Sequence, residues 1–97
     1  MKLKFTHKAE KDLEKVPPQL RLQILQKAKA RLERGFVLGG TQIKKIVEDP
    51  LGKLYRLRVG DYRLLFELHG DEVIVLRCIH RGDLEDAIRK LRRRKGL

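Results

Sequence analysis

The residues best suited to chemistry are arginines, and they cluster in one stretch. From Leu54 the chain reads Leu-Tyr-Arg-Leu-Arg-Val-Gly-Asp-Tyr-Arg-Leu-Leu-Phe-Glu-Leu. A turn follows, then Val-Ile-Val-Leu-Arg-Cys-Ile-His-Arg, ending at Arg81. Arg56, Arg58 and Arg63 flank the Gly60-Asp61 dipeptide, and Arg77 and Arg81 come later. A guanidinium is planar and binds phosphate through two parallel hydrogen bonds. It does not deprotonate in proteins, so it can hold an anion but cannot act as a base. His80, beside Arg81, is a candidate general acid or base, because imidazole exchanges protons near neutral pH. Its structural reading is a partly buried strand-end histidine. Arg77 also has a structural reading, as the partner of a carboxylate on a neighbouring element.

These side chains need strands to aim them. Gly60-Asp61 is a two-residue hairpin signal between alternating apolar runs. It pairs Val59 with Tyr62 and sets Arg58 directly across from Arg63, with Arg56 opposite Leu65. Like charges in direct opposition destabilise a sheet, so an anion is expected to neutralise this pair. The competing reading is a solvated face with Glu67 as a partial partner. Tyr55 and Tyr62 share the core parity. In the last strand, Val73, Val75, Arg77 and Ile79 form one set, and Ile74, Leu76, Cys78 and His80 the other. Both sets are largely apolar, as in a central strand covered on both sides. A three-residue turn after Leu68 would put Arg77 and Arg81 on the Arg63 face. A two- or four-residue turn would put His80 there instead.

Lys2 to Phe5 reads as a short strand. Thr6 suits the cap of a helix over 7–16, with Ala9, Leu13 and Val16 on one face. Pro17-Pro18 ends it, and Pro18 opens a second helix with Leu20, Ile24, Ala28 and Leu32 in a stripe and Leu25 beside it. Gly35 is a stop signal. Residues 36–53 read as a connection in which Gly39-Gly40 is flexible and Ile43 and Ile46 are anchors. Lys44 and Lys45 are exposed there, and Asp49-Pro50-Leu51-Gly52 forms a turn. A last helix is predicted over about 82–92, with Asp83 favourable near its start. Arg89, Arg92 and Arg93 fall in a basic run that extends to Lys95. The expected fold is α+β, in the order β-αα-βββ-α, with a helical hairpin on one face of an antiparallel sheet.

The 97 residues suit one small domain spanning 1–97, with a basic tail from about residue 89. Formal net charge is +11, which calls for an anionic partner: nucleic acid, an acidic protein or a membrane surface. No apolar run reaches membrane-span length and no signal-peptide core is present, so a cytoplasmic protein is expected, without a membrane partner. Cys78 is the single cysteine, which rules out an intrachain disulfide. His7, His69 and His80 lack metal-ligand spacing, so neither a metal nor another cofactor is expected.

The run Leu54-Tyr55-Arg56-Leu57-Arg58-Val59-Gly60-Asp61-Tyr62-Arg63, followed by an apolar strand and Ile79-His80-Arg81, resembles the RelE/ParE superfamily of toxins from bacterial and archaeal toxin–antitoxin modules. Ile43-Lys44-Lys45-Ile46 resembles the segment that precedes the turn in that family, and the likeness covers essentially the whole chain. The resemblance implies one of two activities. RelE-like members are metal-independent endoribonucleases that cut mRNA on the ribosome, and ParE-like members poison DNA gyrase. Both are neutralised by a small antitoxin. For a RelE-like toxin the implied partners are an acidic, RelB-like antitoxin, mRNA and the 70S ribosome, with cleavage in the A site. The basic residues of the first hairpin strand match Arg56 and Arg58. The arginine after the Gly-x-Tyr turn matches Arg63, and the one after the last strand matches Arg81.

One departure bears on catalysis. The family commonly carries a Val-Tyr pair just beyond the last arginine, and its tyrosine takes part in cleavage. Here that pair reads Leu84-Glu85. Cleaving RNA without a metal needs a base for the 2′-hydroxyl, cations for the phosphorane-like transition state and an acid for the leaving 5′-oxygen. Arginines can supply the second requirement. Glu85 is a candidate base, set against its reading as a solvated helix residue paired with Arg89. A catalytically weak, RNA-binding member is therefore a further reading. Lys44, Lys45, Arg77, His80, Arg89, Arg92 and Arg93 are candidate RNA contacts. The basic tail suits RNA phosphates, acidic residues of an antitoxin, or solvent.

Overall fold

A computed structural model of the chain describes residues 2–33, 43–46 and 54–94. The elements are β1 (Lys2–Phe5), α1 (His7–Glu14), α2 (Pro18–Ala28), β2 (Ile43–Lys45), β3 (Leu54–Val59), β4 (Tyr62–His69), β5 (Glu72–His80) and α3 (Leu84–Arg94). A π-helical turn over Lys29–Glu33 extends α2, and a 3-10 turn over Arg81–Asp83 leads into α3. The five strands form one sheet in the order β1-β5-β4-β3-β2.

Two features depart from the expected architecture. The sheet is mixed, because β1 runs parallel to β5. A helical hairpin separates β1 from the other strands, so no tight turn dictates an antiparallel edge. Within the stretch expected to be a connection, residues 43–45 form a fifth strand, antiparallel to β3. A three-residue strand with one buried side chain carries too little alternation to announce itself. Ile43 and Ile46 are buried and both lysines exposed, as their types suggest. Gly35, Gly39-Gly40 and the Asp49-Pro50-Leu51-Gly52 turn lie outside the described residues.

The β3–β4 hairpin has the register its turn dictates: Val59 pairs with Tyr62, Arg58 with Arg63, and Arg56 with Leu65. Gly60 takes a positive φ of 57°, which suits a tight two-residue hairpin turn. The β4–β5 turn is also two residues long, with His69 opposite Glu72. By parity alone that would put His80 on the Arg63 face. A bulge intervenes: Phe66 pairs with Val75, but Leu65 pairs with Arg77, so Leu76 is the extra residue. Beyond it Arg63 faces Ile79 and Tyr62 faces His80.

The sheet is covered on both sides. Ala9 and Leu13 of α1, and Ile24 and Ala28 of α2, pack on Leu57, Leu64, Phe66, Val73, Val75 and Cys78. Ala87 and Leu91 of α3 pack on Leu54, Leu65 and Ile79 across the other face. Burying one such aliphatic side chain stabilises by about 1.5–3 kcal/mol. Thr6 caps α1 by accepting from Ala9 N at 3.2 Å. The helix ends at Glu14, two residues short of the expected end, because Val16 precedes Pro17.

Where β1 stops, α1 takes over the edge of β5. Thr6 N donates to Val75 O at 3.0 Å, and the Thr6 hydroxyl donates to Leu76 O at 3.1 Å. Asp12 accepts from Cys78 N at 3.0 Å. Main-chain groups at the bulge thus find partners on the helix rather than in a ladder. Among the described residues no helix is long and apolar enough to cross a membrane.

Candidate nucleic-acid interface

The register gathers the basic side chains in two rows across one face. Lys44, Arg56 and Leu65 form one row, and Arg58, Arg63 and Ile79 the next. Directly opposed residues lie roughly 4.5–5.5 Å apart at Cα, close enough for neighbouring guanidinium groups to share one anion. α3 seals the apolar half of this face over Leu54, Leu65 and Ile79. The arginine half lies toward the Gly60-Asp61 turn.

Arg63 is the best-fixed member. Its Nη1 donates to Gly60 O and to Tyr62 O, both at 2.9 Å. Partial burial lowers its pKa from the ordinary arginine value, and the charges of Arg58, Arg56 and Arg81 lower it further. Asp61 acts in the opposite sense. Arg56 and Arg58 of β3 and Arg81 of the turn after β5 therefore converge on Arg63 of β4. Arg81 reaches the cluster because its N–H donates to Asp61 O at 2.7 Å, which ties the end of β5 to the hairpin turn. Its Nε lies 3.7 Å from Asp61 Oδ1.

The other candidates are placed differently. Arg77 is held by Asp12, through Nε to Oδ2 at 2.7 Å and Nη2 to Oδ1 at 3.2 Å, in a largely buried pair. This is its structural reading. His80 is exposed rather than partly buried, because β5 ends there and it lies opposite Tyr62 at the rim. Its Nδ1 accepts from Gly82 N at 3.2 Å, capping the 3-10 turn, and its ring meets Tyr62 edge-on at 5.7 Å. Lys45 pairs with Tyr55 and so takes the opposite parity from Lys44. Glu85 is exposed in the first turn of α3. Among the charges acting on Arg63, the carboxylate is that of Asp61. Glu67 is hydrogen-bonded to His69 at 3.0 Å, at the far end of β4 from Arg63.

Arg89 and Arg93 are exposed on α3, and the side chain of Arg92 lies outside the described residues. Arg93 and Lys90 line a groove of about 570 Å³ with Thr6, His7 and Lys8 at the start of α1, floored by Leu76 and Leu91. Among the described residues, no group of three or more His, Cys, Asp or Glu side chains is placed to hold a metal ion. Asp61 reads from sequence only as a turn residue. The available signal was an acidic side chain placed between Arg58 and Arg63.

This fold, with a basic face on a five-stranded sheet, belongs to a known class. Residues 3–85 match the family model described as ParE toxin of type II toxin-antitoxin system, parDE. The chain belongs to the RelE/ParE family of toxins. It is 34% identical over 87 residues to toxin RelE3 of Methanocaldococcus jannaschii, covering 89% of this chain and 97% of that toxin. It is 30% identical over 84 residues to toxin RelG of Mycobacterium tuberculosis, covering 84% and 92%. Among solved structures, the RelB-RelE antitoxin-toxin complex from Methanococcus jannaschii is similar at a TM-score of 0.65 and 31% identity, with 87% of this chain and 96% of that chain covered.

Proposed function

We propose that this toxin is a metal-independent endoribonuclease that cleaves mRNA in the ribosomal A site. One observation carries the reading: Arg56, Arg58 and Arg81 all act on Arg63, in a protein of net charge +11. Such a cluster is costly without an anion. A scissile phosphate supplies one, and its charge grows toward the transition state, where fixed cations contribute most. Arg63, anchored on two carbonyls, is the preorganised donor, and Arg56, Arg58 and Arg81 complete the clamp. Lys44 extends it along the RNA backbone. Glu85 stands where the family tyrosine would act. The arginines can stabilise charge without moving protons, so we expect slow cleavage with strong RNA binding.

The neutralising partner is an acidic, RelB-like antitoxin. Its acidic segment fits the groove between α1 and α3, where His7, Lys8, Lys90 and Arg93 surround an apolar floor of Leu76 and Leu91. The family match to ParE toxins favours a second reading, inhibition of DNA gyrase.

The test is mRNA cleavage on programmed ribosomes, with gyrase supercoiling assayed in parallel. Cleavage that persists when transition metals are chelated supports the nuclease. Gyrase inhibition with intact mRNA supports the rival.

A further inference from the structure

We propose that Asp61 is a resident counter-ion of the arginine cluster, holding Arg81 until an RNA phosphate displaces it. This rests on the phosphate-binding role given to the arginines above. Asp61 is the second residue of the β3–β4 turn, next in space to the Arg58–Arg63 pair. It touches Arg81 twice, through its carbonyl to Arg81 N at 2.7 Å and through its carboxylate to Arg81 Nε at 3.7 Å. Both side chains are about two-thirds exposed, at 65% for Arg81 and 64% for Asp61. An ion pair so open to water adds little to stability. The turn does not require a carboxylate either, since asparagine suits tight hairpin turns as well.

What the carboxylate does is occupy one arm of the clamp. An isolated phosphate meeting Arg81 must compete with Asp61. A phosphodiester chain engages Arg56, Arg58 and Arg63 at the same time, so it displaces Asp61 more readily. Asp61 thereby biases the site toward extended RNA.

The experiment is a double-mutant cycle on affinity for a single-stranded RNA oligonucleotide, measured at roughly 0.15 M salt to screen distant charges. Asp61→Asn preserves the turn and removes the charge. It should tighten binding by roughly two- to fivefold, the range of an exposed ion pair. That gain should disappear in the Arg81→Ala background. Unchanged or weaker binding by Asp61→Asn, or an equal gain in both backgrounds, would overturn the proposal. If Arg63→Ala and Arg81→Ala themselves bind RNA like the wild type, the phosphate-binding reading fails instead.

Discussion

Arg58 and Arg63 face each other across the hairpin, and their mutual repulsion is part of the folded state. Arg58→Gln should therefore raise the melting temperature at low ionic strength, by up to about 1 kcal/mol of stability, while weakening RNA binding. The stability gain should shrink as salt is added, because screening already relieves the repulsion. Thermal melts at two salt concentrations check this. Glu85 tests the missing acid–base group. Glu85→Tyr should accelerate cleavage, within the roughly 10²–10⁴-fold range that such groups contribute. Glu85→Ala should change little, and a collapse of the rate in that variant would make Glu85 the base. Cys78 offers an independent check on the core. Burial first, and Asp12 second, push its thiol up to about 12, so the reactive thiolate is scarce at pH 8. Native protein should resist alkylation that denatured protein undergoes. The Arg58–Arg63 opposition was legible in sequence, because a two-residue turn leaves one register. The role of Asp61 was not, because it depends on Arg81, far along the chain, and for Arg77 the sequence offered a carboxylate partner without identifying Asp12.

The bulge in β5 determines how its two ends face. Before it, Val73 and Val75 point to the helical hairpin; after it, Cys78 does so and Ile79 meets α3. Sequence parity could not reveal the switch, because both alternating sets in this strand are apolar. Asp12 stabilises the irregularity by taking Cys78 N–H and the Arg77 guanidinium together. Asp12→Ala should cost about 3 kcal/mol, the lower end for a broken buried pair, since this one keeps some solvent contact. Urea denaturation would measure it, and a loss below about 1 kcal/mol would mean that the pair is not structural. The helices were readable from Thr6, Pro17-Pro18 and the Ile24–Ala28–Leu32 stripe. The edges of the sheet were less so. A short β2 and a parallel β1 are set by long-range pairing, which leaves little local pattern. Missing β2 hid the reason Lys44, and not Lys45, stands beside Arg56.

A charge of +11 on 97 residues gives a molecule that repels itself and attracts polyanions. Saturation with an acidic antitoxin should raise its melting temperature by mass action. Reversing charge at Lys90 and Arg93 should weaken that partner while sparing RNA binding at the arginine face, because the groove and the hairpin turn are lined by different residues. Isothermal titration with antitoxin and with RNA separates the two effects. The family assignment was legible in the arginine-rich hairpin, since strand spacing and turn chemistry preserve its motif. The groove was not legible, because it forms only where the start of α1 meets the end of α3. The most direct measurement is the mRNA cleavage rate of Arg63→Ala on programmed ribosomes, with folding verified by its melting curve. Loss of the best-fixed cation should slow cleavage by at least about tenfold. A folded Arg63→Ala variant that cleaves at the wild-type rate would contradict the arginine clamp.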